Sequence, residues 1–496
     1  MDEADFKRRR NVWVILTVTA FLSPSFWLFI AVAAPLLYWG GKKDTNPIAF
    51  CLLLLNIIPS VSLPIPAVVV QQVFDLDIYR LLALCVLIPA ALRIHGAKDP
   101  QRHVGMRGMD LALLGVGALQ VFLFVPPDLS NHVILQNSAT NDVRSAFLFV
   151  LDSFAIYYVA SRSARERGKL VDALAAYCVA CALMSLTAMF ESVKHWLLYV
   201  DIIRRWGGDM MLSEYYYRGP LLRAQASSGQ PLALGFLLVI GFAFWLYLKP
   251  QIKSRGVRIG GTLLLCAGLL VSFSRGPWLA AIITYFAYAA FGPRGGVRLF
   301  KATLAVFVIS VVLLASPFGD KITGMIPFMG GQVGVSSLTY RERLFDRSWE
   351  LIKASPVFGD QLALSKMQGL RQGQGIIDVV NAYIGITLFY GFAGLSLFLI
   401  FIFLALLKTY RAAKRLAKTD PDGSLLGANL AACIVALLVL LADGSLGTAP
   451  ERLFYAVIGL AAAYGAMVTV RLRARAAEPL SLEGTRGQTS IGGAAS

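Results

Sequence analysis

Apolar segments long enough to cross a bilayer recur from one end of this chain to the other, separated by short basic connections. A helix rises 1.5 Å per residue, so a hydrocarbon core of about 30 Å asks for roughly 20 apolar residues. Twelve such spans are predicted, near 47–70, 78–94, 109–126, 144–161, 168–190, 228–248, 257–273, 277–292, 299–318, 377–407, 425–443 and 450–471. With 57% hydrophobic and 15% charged residues over 496 positions, a soluble fold has no interior large enough to hide this surface. The expected fold class is therefore all-α, a polytopic helical bundle, with residues 1–475 as a single membrane-embedded domain. The stretch 12–39 is apolar but broken at Ser23-Pro24-Ser25, with Lys7-Arg8-Arg9-Arg10 before it and Lys42-Lys43 after it. A short re-entrant hairpin fits that pattern; a signal peptide is the competing reading.

The net charge of +17 raises nucleic acid as a partner. The basic residues, however, sit in short connections between apolar runs, and no basic stripe is interleaved with stacking aromatics, so no nucleic acid is expected. Segments assigned to the cytoplasm hold 30 of the 46 Lys and Arg residues. Both termini are then cytoplasmic, and the Gly-, Ser- and Thr-rich tail 476–496 is expected to be disordered. Two long loops, 191–227 and 319–376, fall outside and are expected to build a periplasmic cap. The second contains an amphipathic stretch from Tyr340 to Ala354, opened by Thr339-x-x-Glu342 at capping-box spacing. Leu344, Phe345, Ser348 and Ile352 share one face of it, and Arg343, Arg347 and Glu350 another. An amphipathic helix of this kind also suits a lipid surface.

All six cysteines lie within spans, and Cys178-x-x-Cys181 reads as packing, not as a metal or redox pair. His95, His103, His132 and His195 have no ligand spacing to acids or cysteines. No metal site, phosphate-cradling glycine loop or nucleophile elbow is found, so no metal or cofactor is expected.

The candidate functional residues gather on the outer side. Arg275 stands in Ser274-Arg275-Gly276-Pro277-Trp278 between two spans, where a guanidinium must meet an anion or solvent. Arg223, Arg341, Arg343, Arg347 and Arg371 fall on the same side, a set of cations suited to a phosphate-bearing ligand. Arginines at span ends also snorkel or pair with lipid phosphates. Asp152 lies mid-span, where an acid is functional or paired. A proton-coupled or sugar-flipping transporter is thus the rival reading, although the charge gathers at the outer face and no internal repeat is evident. Asp443 and Glu451 bracket the last outer turn as structural or acceptor-side residues.

Four motifs in order on this face resemble the O-antigen ligase and O-antigen polymerase (Wzy-type) superfamily of bacterial polysaccharide assembly. They are Arg223-Ala224 followed by Gly229-Gln230-Pro231-Leu232 and Gly235; Ser274-Arg275-Gly276; Arg341, Trp349, Ala354, Pro356 and Gly359; and Asn381-Ala382-Tyr383 followed by Gly391 and Gly394. The resemblance implies transfer of an oligosaccharide from an undecaprenyl-diphosphate carrier to a hydroxyl acceptor, without metal or nucleotide sugar, at the outer half of the bacterial inner membrane. Other polysaccharide assembly and export proteins are implied partners. Arg223 and Arg275 are the first choices to stabilise the departing diphosphate, with Arg341 and Arg371 next. Ligases of the family place a histidine just before the asparagine; this chain has Asp378-Val379-Val380-Asn381 instead. That departure favours a polymerase or exopolysaccharide-type member, with Asp378 as base or as a first-turn helix acid, and Asn381 orienting donor or acceptor. Glu214 and Glu342 are reserve bases, and Ser274, Tyr383, Trp349 and Tyr215–Tyr217 are candidate substrate contacts.

Overall fold

The computed structural model describes residues 2–59, 61–65, 74–97, 104–123, 139–208, 214–314, 335–371 and 377–477. Residues 478–496 of the tail expected to be disordered, His103, His132 and the parts 319–334 and 372–376 of the long loop lie outside the described residues. Among those described, the fold is all-α apart from two-residue ladders. Helix α1 (Glu3–Leu22) ends where Pro24 withholds an N–H, and the Ser25 hydroxyl caps α2 (Phe26–Lys43) by accepting from the Leu28 N–H at 3.3 Å. The N-terminal hairpin thus breaks at the expected place. Its ends are locked by the buried Arg9, which donates to Asp44 and to Asp172.

The predicted span 47–70 is corrected. Helix α3 (Pro47–Leu54) stops after eight residues, and Leu63–Pro64 pairs with Asp75–Leu76 as a short antiparallel ladder. The cause is proline: Pro59 and Pro64 cannot donate to a helical ladder. The chain continues through α4 (Ile78–Gly96), α5 (Arg107–Phe122), α6 (Val143–Ser163), α7 (Arg167–Lys194), α8 (Val200–Arg205), α9 (Pro231–Leu248), α10 (Arg255–Val271), α11 (Arg275–Phe291) and α12 (Gly295–Leu314). Then come α13 (Val335–Ala354), α14 (Ala382–Leu416), α15 (Pro421–Asp443) and α16 (Thr448–Ala477). Among the described residues, seven helices are long and apolar enough to cross a membrane: α4, α6, α7, α9, α14, α15 and α16. Helix α15 is the hub, packed against α9, α11, α14 and α16, so its C-terminal end at Asp443 stands where several helices meet.

Two local irregularities interrupt the helices. A π-turn at Val150–Phe154 in α6 presents Asp152, which takes Arg80 at 2.9 Å and Arg452 at 2.6 Å, while Arg452 also reaches Glu451 at 3.0 Å. The mid-span acid is therefore paired. In α14 the helix breaks at Gly391, whose φ of 63° is left-handed, and the segment after α13 fills the break. Phe392 N–H donates to the Pro356 carbonyl at 2.8 Å, Ala393 N–H to Val357 at 3.1 Å, and Asp360 N–H to Leu388 at 2.7 Å. Gly359, with φ 69°, lies against the Leu388 carbonyl and the Gly391 N–H. Side chains at either glycine would strike backbone, so the interlock needs both.

Candidate active site

The turn between α10 and α11 sets the geometry. Phe273 adopts φ 45°, a left-handed conformation costly for an aromatic residue, and this turns the carbonyls of Ser272 and Phe273 toward the loop 214–230. Arg223 Nε donates to the Ser272 carbonyl at 3.3 Å, its Nη2 donates to the Ser274 hydroxyl at 2.9 Å, and Arg218 Nη1 donates to the Phe273 carbonyl at 2.8 Å. Ser274, at the N-cap of α11, donates its own proton to the Pro231 carbonyl at 3.2 Å and so ties α9 to the turn. Arg275 is the first residue of α11, and burial, followed by the nearby charge of Arg275, pushes the Arg218 guanidinium down. Burial, and after it the charge of Arg218, pushes Arg223 down to about 10, with Tyr216 and Asp443 opposing. Arg218, Arg223 and Arg275 thus form a half-buried cation cluster at the positive end of a helix.

Asp443 is the acid facing this cluster. It ends α15 and lies against the Cα of Gly276, where an added methyl would collide with its carboxylate. Arg341 of α13 reaches the same carboxylate, Nη1 to Oδ1 at 2.7 Å. Helix α13 is tied in further by the Tyr340 hydroxyl, which donates to the Asp378 carbonyl at 3.1 Å. Asp378 is half-buried, and desolvation raises its carboxyl above the ordinary range while Arg341 opposes. Asn381 caps α14, accepting from the N–H groups of Tyr383 at 2.9 Å and Ile384 at 3.1 Å, and its amide donates to the Ala442 carbonyl at 3.1 Å. The arrangement offers an oxyanion-binding cation set on one side and, on the other, a carboxylate whose basicity burial increases.

The structure brings Arg223, Ser274, Arg275, Arg341, Asp378 and Asn381 into one contact network; other expected residues stand elsewhere. Tyr383 gives its hydroxyl to the Leu438 carbonyl at 2.8 Å, packing α14 on α15. Arg371 is exposed and donates to Gln368. Arg343 is exposed, and Arg347 pairs with Glu350 at 2.6 Å. The Glu214 carbonyl accepts from Gln225. Tyr217 stacks on His195 and Tyr215 accepts from the Leu197 N–H, so these tyrosines pack on the first outer loop. Thr339 is not a helix cap, because α13 already begins at Val335. On α13 the buried face is Leu344, Ser348 and Ile352, whereas Phe345 is 53% exposed and stacks on Trp349. Among the described residues no group of His, Cys, Asp and Glu is arranged to hold a metal ion, and all six cysteines are free thiols. Sequence reasoning missed Arg218 and undervalued Asp443, whose only signal was an acid at the end of an apolar run.

The bundle defines the class, a polytopic helical membrane protein with its polar network at one end of the helices. Residues 260–399 match the family model described as O-antigen ligase, and this stretch, from α10 to just beyond the break at Gly391, is an O-antigen ligase family domain. That family consists of ligases and polymerases that transfer lipid-linked glycans. No curated protein matches the chain.

Proposed function

We propose that this protein polymerises undecaprenyl-diphosphate-linked oligosaccharide repeat units into a surface or secreted polysaccharide, on the periplasmic side of a bacterial inner membrane. The observation that carries the reading is the meeting of Arg218, Arg223 and Arg275 at the N-terminus of α11, with Arg341 joined to them through Asp443. In the step proposed, an acceptor sugar hydroxyl attacks the anomeric carbon, and the bond from that carbon to the diphosphate breaks with its electron pair leaving on the carrier. Asp378 takes the hydroxyl proton. Negative charge grows on the diphosphate as the bond breaks, so guanidiniums aimed there favour the transition state over the ground state. The basic connections on the opposite side support cytoplasmic termini. In this topology α3 and the turn after it carry the chain outward, and α5, α10, α11 and α12 cross the membrane as well.

The test is incubation of the purified protein with lipid-linked repeat units, without metal or nucleotide. A ladder of longer lipid-linked chains is the expected product. Transfer to lipid A core would make the protein a ligase, and passage of intact lipid-linked sugar across vesicles with no bond broken would refute glycosyl transfer.

A further inference from the structure

The loop 214–230, which carries Arg218 and Arg223, is held by an acid that belongs neither to the cation cluster nor to the candidate bases. Glu191 stands in the last turn of α7 and is fully buried. Its Oε2 accepts from two consecutive backbone N–H groups, Gln225 at 2.9 Å and Ala226 at 2.7 Å, and its Oε1 accepts from the Leu198 N–H at 3.1 Å. Ala226 has φ 47°, a left-handed conformation that costs any residue with a side chain. We propose that Glu191 is a positioning residue for Arg223: its carboxylate fixes the left-handed turn at Gln225–Ala226 and thereby sets where the Arg223 guanidinium meets the turn between α10 and α11.

The place of this clamp in the chain decides what it controls. On one side of it the Arg223 N–H donates to the Tyr216 carbonyl at 2.9 Å and the Ala224 N–H to the Val271 carbonyl at 3.0 Å, which docks the backbone of Arg223 on the end of α10. On the other side the Ser227 hydroxyl donates to the Asn56 carbonyl at 2.6 Å. The two residues between them turn the chain, and both of their N–H groups end on Glu191. Gln225 and Ala226 are buried, so without the carboxylate these donors lose their acceptor away from water and Ala226 is free to relax out of the left-handed region. A bond of 2.9 Å from Arg223 to the Ser274 hydroxyl tolerates little displacement of the chain one to three residues away. Ionisation matters as well as shape: a carboxylate accepts at both oxygens, whereas the isosteric amide of glutamine would turn an NH2 toward one of the N–H donors. A base role does not fit Glu191, because it is enclosed and both of its oxygens are taken by main-chain donors. The inference rests on the reading of the cation cluster as a diphosphate site, and it adds the residue that holds one of those cations in place.

The experiment uses the full chain in nanodiscs, with peptide-level hydrogen exchange over 214–230 and calorimetric titration with inorganic pyrophosphate as the two readouts. Wild type is compared with Glu191→Gln, Arg223→Met, the double variant and Ala226→Gly. Glu191→Gln is expected to speed exchange over 222–228 and to weaken pyrophosphate about tenfold. In the Arg223→Met background the same change is expected to weaken it by less than about twofold, since the effect passes through that guanidinium. Ala226→Gly keeps both N–H donors and suits the left-handed φ, so affinity within about twofold of wild type is expected. Unchanged exchange or affinity in Glu191→Gln overturns the proposal, and so does an equal loss in both backgrounds, which would make Glu191 a general support of the fold. If Glu191→Gln does not fold, Ala226→Gly decides: a loss of about fivefold or more would show that the alanine side chain, and not the carboxylate, fixes the turn. Failure of wild type to bind pyrophosphate overturns the diphosphate reading. The exchange readout then still decides the clamp, upheld by faster exchange confined to 222–228 and overturned by none.

Discussion

The contact between Gly276 and Asp443 makes a sharp prediction for Gly276→Ala. Alanine is ordinarily the better helix residue by about 1 kcal/mol, so propensity alone forecasts a neutral or stabilising change. Here the new methyl would occupy the space of the Asp443 carboxylate, which must retreat by more than an ångström to restore a van der Waals separation of about 3.5 Å. The 2.7 Å bond from Arg341 does not survive that retreat. A charge-assisted hydrogen bond contributes about 1.5–3 kcal/mol; with Arg341 about a third exposed, solvent screening lowers this to about 1–2 kcal/mol. If Arg341 serves the transition state from its present position, kcat/KM for chain extension falls about five- to thirtyfold. The assay is initial-rate formation of the lipid-linked ladder at matched amounts of folded protein. Asp443→Gly removes the obstacle, so in that background Gly276→Ala is expected to cost nothing further. Unchanged activity in the single variant, or an undiminished cost in the double variant, refutes the steric account.

Other consequences follow from the same geometry. The rate of transfer should rise with pH through a midpoint above the ordinary carboxylate range, because a base must be ionised and burial raises Asp378; Asp378→Asn should abolish that limb of the profile. Inorganic pyrophosphate should raise the melting temperature in detergent, with about 2.7 kcal/mol of stabilisation at a hundredfold excess over Kd, and Arg223→Met should remove most of the effect. Gly391→Ala should destabilise by at least about 2 kcal/mol in thermal unfolding, since its left-handed φ is costly for a side chain and its Cβ would meet the Val357 carbonyl. Arg452→Met should cost about 3–5 kcal/mol and reduce the yield of folded protein, because it leaves Asp152 and Glu451 buried with less compensation.

The helical architecture was legible because bilayer solvation demands long apolar runs, and the hairpin break at Pro24 because proline cannot continue a helical ladder. Arg275 and Arg223 stood out for a related reason: a guanidinium between two spans has few partners to choose from. Residues whose role depends on convergence were harder to see. Asp443 is separated by about a hundred positions from Arg341 and by more from Gly276, and no spacing rule joins them. Helical periodicity puts Phe345 on one face with Leu344, Ser348 and Ile352, and its exposed pairing with Trp349 departs from the burial of the other three. The break at Gly391 left only a glycine inside an apolar run, which reads equally well as a packing position.

The interlock at that break fixes the segment that carries α13 to the helix α14. A cap joined only at its ends would let Arg341 wander by the length of its tether, and a cation so placed would contribute little preorganisation. Here the carbonyls of Pro356 and Val357 replace helix bonds inside α14, and the Leu388 carbonyl accepts the Asp360 N–H in return. The same helix begins at Asn381, whose amide holds the end of α15 one residue before Asp443. Helix α13 is therefore fixed from both sides, through its own C-terminal segment and through Tyr340 to Asp378. The position of Arg341 relative to Arg275 is set by backbone hydrogen bonds to a membrane helix, and the cation set is assembled before a substrate arrives. Burial and mutual repulsion depress Arg218 and Arg223 in that assembly, so under the proposed function a diphosphate would meet cations held close together. On that proposal, binding of the anion would relieve the repulsion among the cations, and the relief would grow as charge accumulates on the diphosphate along the reaction.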